Sequence, residues 1–240
     1  MRHHWQMMNP DARSILGHLE SVAQLRQAQA REPDLGERVR VLKAYQHSRF
    51  AATYADLLQS TDHGAAARFF LDELYGPHDF AERDAQFARI VPALVRLFPR
   101  DIVATVRSLA ELHALSERLD AEMARNLAGA KLDAAHYRAT WQQVGQAAER
   151  QRQIDLMLQI GRALVGFTRN PLLRHSLRLM RGPAKAAGLA ALQHFLERGF
   201  DTFGALRQPE RFLQLIAERE QRIARWLFAA ADDETTPAGF

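Results

Sequence analysis

RFFLDELYGPHDFAERDAQ, residues 68–86, holds the end of one helix and the start of the next. Phe70 and Leu74 are four apart and share a helix face. Phe69, Leu71 and Tyr75 widen that face, so AAARFFLDELY reads as a short helix, apolar on most sides and deeply packed. Gly76 supplies a residue able to close the helix in the left-handed conformation, and Pro77 blocks its continuation. Asp79 then reads as an N-cap with Glu82 in the capping-box position, and Asp79 and Arg83 form an i,i+4 pair with the acid on the favourable, N-terminal side. Phe80, Phe87, Val91 and Leu94 carry a buried stripe onward.

The same grammar extends along the chain. Pro10, Pro33, Pro77, Pro99, Pro171, Pro183 and Pro209 fall between helix-period runs, as expected of a residue tolerated in first turns and expelled from interiors. No alternating strand pattern lies between them. The expected helices cover about 10–31, 35–59, 65–75, 79–98, 101–127, 133–168, 171–181, 182–198 and 209–231. Pro92 is the one proline inside a helical pattern. The fold class is therefore all-α: an irregular bundle of about eight or nine helices around a long central one, 133–168, which would measure about 55 Å if unbroken. Gly145, Gly161 and Gly166 are where it would bend or break. Residues 1–231 read as a single helical domain and 232–240 as a disordered acidic tail.

With 47% hydrophobic and 25% charged residues, the composition is that of a globular chain with a core of ordinary size. It contains no cysteine, which excludes thiol nucleophiles and thiolate-ligated metals. The 32 Lys+Arg against 28 Asp+Glu leave a net charge of +4, too modest a surplus to argue for nucleic acid by itself. MRHHWQMMNP lacks the apolar core of a signal peptide, and no run approaches the length of a membrane span. These features predict a cytoplasmic chain.

Three sets of residues are candidates for function. Arg68, Asp72, Tyr75, His78, Arg83 and Asp84 crowd polar groups around an apolar corner and form the candidate ligand or partner site. His113, Glu117 and Asp120, at i, i+4 and i+7, share one face of the 101–127 helix, where His113 and Asp120 interrupt an otherwise apolar heptad pattern. A histidine and two carboxylates so spaced supply part of a metal site in a helical bundle, or else a salt-bridged face. Asp133 and His136 have ligand-like spacing too, but Asp133 is better explained as an N-cap. Arg174, Arg178, Arg181 and Lys185 form a basic stripe if the helix phase survives Gly182-Pro183, suited to phosphate or acidic lipid. Gly188, Ala191, Leu192 and Phe195 permit close helix approach, within the chain or in a homodimer. No nucleotide-binding loop, nucleophile elbow or zinc-protease motif is present, so no cofactor is implied.

The block Phe69-Phe70-Leu71, Leu74-Tyr75-Gly76, Asp79-Phe80, Arg83-Asp84 resembles a family of uncharacterised bacterial all-helical proteins with the signature FFLxxLYGxxDFxxRD. The similarity extends through RQIDLMLQIGRAL, LMRGPAKAAGLAALQHFLERGF and ERFLQLIAERE, and so over most of the chain. It implies a single-domain helical architecture and brings no catalytic residue with it. The functional expectation is a non-catalytic protein acting through protein–protein contact, as an accessory or regulatory factor. The alternatives are a metal- or cofactor-dependent helical-bundle enzyme and, more weakly, a peripheral binder of an acidic membrane or nucleic-acid surface.

Overall fold

The computed structural model describes residues 9–73, 80–127, 132–229 and 236–240. Among them are twelve helices and no strand: α1 Pro10–Arg31, α2 Pro33–Thr53, α3 Ala55–Gln59, α4 Gly64–Glu73, α5 Ala81–Leu97, α6 Arg100–Asn126, α7 Ala134–Val144, α8 Ala147–Thr168, α9 Pro171–Leu179, α10 Arg181–Ala186, α11 Ala190–Ala205 and α12 Pro209–Phe228. The all-α class holds. The expectation of eight or nine helices around a long 133–168 helix does not.

That helix is broken in two. Gly145, at φ +67° and ψ −124°, ends α7, and Gln146 follows in the left-handed region at φ +60°. The first conformation belongs to glycine, and the second is held from outside. Arg118 Nη1 donates to Gln146 Oε1 at 2.9 Å, and Gln146 Nε2 donates to Glu122, so α6 clamps the corner. Among the described residues the longest helix is instead α6, with 27 residues. Its buried Ala110, Ala114, Ala121 and Ala124 let neighbouring helices come close.

Two further breaks differ from expectation. The 35–59 helix splits at Tyr54 into α2 and α3, and α12 supplies what the break requires. Arg219 donates to the Thr53 carbonyl at 2.9 Å, and the Tyr54 hydroxyl donates to Glu220 at 2.6 Å. Gly182-Pro183 lies inside α10 rather than between helices. The chain turns at Gly188, where Leu189 N–H reaches back to the Ala184 carbonyl at 2.8 Å in the six-residue closure of a helix end. Pro92 sits within α5 on its exposed side, beside the fully buried Val91.

The core has two main parts. In one, Phe69, Phe70 and Leu71 of α4 are buried with Phe50, Tyr54, Ile154, Leu158, Phe203, Phe212 and Ile216, from α2, the α2–α3 break, α8, α11 and α12. Phe70 lies edge-on to Phe203 at 5.8 Å, and Phe69 stacks on Phe195 at 5.7 Å. In the other, Leu42, Met123, Tyr137, Trp141, Ile223, Trp226 and Leu227 join α2, α6, α7 and α12. Residues 236–240 fall in the stretch expected to be disordered, yet they are seated on this second core. Phe240 packs against Trp226 with ring centroids 4.7 Å apart, and Pro237 is buried. The acidic part of that stretch, 232–235, lies outside the described residues.

Candidate functional site

Asp84, in the first turn of α5, is the node of the most elaborate polar arrangement near the corner. One of its oxygens lies 2.8 Å from His113 Nε2 on α6 and 2.9 Å from Arg26 Nη1 on α1, while the other lies 3.8 Å from Arg83 Nε. Arg83 continues to Glu73 at 3.5 Å, and Glu73 to Arg198 of α11 at 2.6 Å. The result is an ion ladder across α11, α4, α5, α6 and α1. The Arg83 guanidinium lies over the rings of Phe80, at 4.0 Å, and Phe195, at 4.5 Å. Burial pulls the Arg83 pKa below its usual value, against the opposing pull of Asp84 and Glu73. Burial pushes the Asp84 carboxyl up, but the His113 hydrogen bond and the charges of His113, Arg26 and Arg83 outweigh it and hold the group below the usual carboxylate range.

Of the six residues in the first candidate set, Arg83 and Asp84 come together. Arg68 turns away and donates to the Leu58 carbonyl at 2.7 Å, and Asp72 is exposed. Tyr75 and His78, like the Gly76-Pro77-Asp79 punctuation, lie outside the described residues. The members that sequence reading missed are Arg26, Glu73 and Arg198. His113 had a signal, as a polar interruption in an apolar heptad, but it pointed to the wrong set.

The His113, Glu117 and Asp120 face does not converge on one point. Glu117 is buried and receives Lys43 Nζ at 2.7 Å, while Asp120 receives Gln46 Nε2 at 2.9 Å; both donors stand on α2. Among the described residues, no group of three or more His, Asp or Glu side chains is arranged to hold a metal ion. Desolvation raises the Asp120 carboxyl, with Glu117 adding to it and Lys43, Gln46 and Arg150 opposing. Nearby, the Arg150 guanidinium lies 3.8 Å from the Trp141 ring, and burial raises the Tyr45 hydroxyl to about 12. Asp133 caps α7, accepting from the His136 backbone at 2.9 Å.

The basic stripe is laced to α11. Arg174 pairs with Asp201 at 2.7 Å, with Arg178 at 4.0 Å from the same carboxylate, and Arg181 reaches both oxygens of Glu197 at 2.6 and 2.8 Å. Lys185 is exposed. These charges border an apolar ridge that the sequence reading did not single out. Leu172 and Leu179, seven apart on one face of α9, are 74% and 65% exposed, and Met180 and Leu196 are 51% and 40% exposed. No residue of α9 is buried. By contrast, Leu192 and Phe195, from the small-residue stretch, are used inside the chain.

No helix among the described residues is long and apolar enough to cross a membrane. No curated protein and no solved structure matches the chain. A family described as a domain of unknown function, DUF8198, matches residues 24–234. The chain belongs to that family.

Proposed function

We propose that this is a non-catalytic contact protein of the bacterial cytoplasm, and that it holds a protein partner on the α9–α11 face. The observation that carries the reading is the ridge of Leu172, Leu179 and Met180 beside a local surplus of positive charge. Residues 171–205 hold five Lys+Arg against two Asp+Glu, so they carry +3 of the chain's net +4. Monomeric surfaces scatter their large apolar residues; a ridge with a polar rim is the anatomy of an interface. The complementary partner presents apolar side chains among acids. Asp201 and Glu197 stand among the arginines, and this mixed rim suits a protein better than a uniformly anionic lipid surface.

A photo-crosslinking residue in place of Ser176, between Leu172 and Leu179, tests this in cells. The expected capture is a protein whose crosslinked segment is apolar and acidic. Leu172→Glu with Leu179→Glu abolishes it and leaves helicity and melting unchanged. Anionic vesicles that sediment the native chain but not the double variant would replace the protein partner with a lipid surface. A crosslink that survives both charges would remove this face from the function.

A further inference from the structure

The groove between α2, α7 and α12 is filled by chain that belongs to none of them. Phe240 inserts its ring against Trp226 at 4.7 Å and Tyr137 at 6.0 Å, with the Arg49 guanidinium 5.5 Å from its centroid. The Thr53 hydroxyl donates to the Ala238 carbonyl at 3.0 Å, and Pro237 is buried. At Gly239 the backbone has φ +105° and runs so close to α2 that a Cβ would overlap Thr53 Oγ1 and stand 2.9 Å from Thr53 N and 3.0 Å from the Arg49 carbonyl. The fit is therefore specific at four consecutive positions: a proline under cover, a carbonyl read by a hydroxyl, a position open only to glycine, and an aromatic anchor. The Trp226 Nε1–H is buried with no acceptor among the described residues, so this wall retains an unused donor.

We propose that this groove is a docking site for a peptide turn of the form Pro-x-Gly-aromatic, the conformation in which Pro237–Phe240 holds it closed in cis, with the Phe240 N–H reaching back to the Pro237 carbonyl at 3.4 Å. A partner bearing such a segment binds by displacing the chain's own. The aromatic anchor is seated between ring faces, the backbone carbonyl before the glycine is read by a hydroxyl, and the positive φ of Gly239 lets the turn lie flat against α2. The intramolecular segment competes at the millimolar-scale effective concentration of a short linker, so the closed form dominates until a competing segment is tighter or concentrated. None of these residues belongs to the α9–α11 face, so the outcome leaves the reading of that face untouched.

The test uses the full chain and a fluorescent peptide of residues 235–240, followed by anisotropy. Two variants open the groove by different atoms: Gly239→Val by backbone overlap with α2, and Phe240→Ala by loss of the anchor. Both are expected to bind the peptide at least about tenfold more tightly than the native chain, whose own segment competes. A peptide carrying Gly239→Val or Phe240→Ala is expected to lose that binding, and Thr53→Val in the opened chain to weaken it. Circular dichroism establishes that the opened variants keep their helices. The proposal is overturned if the folded variants bind the peptide no better than the native chain, or if the altered peptides bind as well as the native one.

Discussion

The side chain of Gln86 on α5 accepts a hydrogen bond from the backbone N–H of Leu192, 3.0 Å away, in the first turn of α11. Those two positions are 106 residues apart, and Gln86 is buried. The amide nitrogen of Gln86 donates in turn to Glu82 at 2.9 Å, so the bond orients the oxygen toward α11. One turn further along α5, Arg89 donates to the Ala187 carbonyl at 3.0 Å. One helix thus caps both sides of the α10–α11 turn. Gln86→Leu keeps the volume and leaves an early N–H of α11 without an acceptor. It is expected to cost about 1–3 kcal/mol, read by chemical denaturation. Hydrogen exchange is expected to quicken first at residues 190–193.

Asp84→Asn removes the charge that offsets both Arg26 and Arg83. At pH 7 the expected loss is about 1–3 kcal/mol. The folded-state pKa of Asp84 lies below the unfolded value of 3.8, so its contribution is present above that value and is lost as pH falls through the folded pKa. The difference between native and variant therefore shrinks below about pH 4, where the aspartate of the unfolded chain takes up a proton before that of the folded chain. Denaturation curves at pH 7 and pH 3 measure it. An equal difference at both would mean that Asp84 acts by shape and not by charge.

Asp120 has the opposite sign. Its folded-state pKa lies above the unfolded 3.8, so the stability linked to its protonation is present below 3.8 and is lost as pH rises through the raised value. Asp120→Asn keeps an oxygen for Gln46 and abolishes the cost of the buried charge. The variant is expected to match the native chain at pH 3 and to exceed it in stability at pH 7. A destabilised variant at pH 7 would show that Lys43 and Arg150 more than offset the desolvation.

Gly145→Val places a β-branched side chain at φ +67° and ψ −124°, a conformation that only glycine adopts without strain. The expected cost is about 1–3 kcal/mol, seen as a lower melting temperature. Gly166→Ala is the control. A Cβ there meets nothing within 4 Å, and the residue is inside α8, so it is expected to be neutral or to stabilise by up to about 1 kcal/mol.

What could be read from sequence was what neighbouring residues decide. The α1 helix runs from Pro10 to Arg31 as expected, because Asn9-Pro10 starts it and Pro33 starts the next helix. Phe69 and Phe70 are buried because their own helix is apolar nearly all round. The break at Gly145 was legible only as a glycine. What makes it a corner is the grip of Arg118 and Glu122 on Gln146, from 28 and 24 residues away. Gly182-Pro183 misled for a related reason: proline is acceptable in a first turn, so α10 absorbs it and the chain turns at Gly188 instead. Within the candidate site, Arg83 and Asp84 were visible as neighbours in a charged cluster. Arg26, Glu73 and Arg198 carry no local mark of their role, since an ion pair between distant segments leaves no periodicity behind. The His113–Glu117–Asp120 spacing put the three on one helix face and said nothing about Asp84 or α2 drawing them apart.

The Lys43–Glu117 and Gln46–Asp120 pairs have a consequence for how the helices are seated. The α6 surface is smooth where alanines line it, and a smooth apolar seam tolerates displacement along its axis by one turn, about 5.4 Å. Such a shift would leave a buried carboxylate facing no cation and a second facing no amide. The clasp therefore acts as a vernier: it adds little to the grip between α2 and α6, but only one graduation aligns.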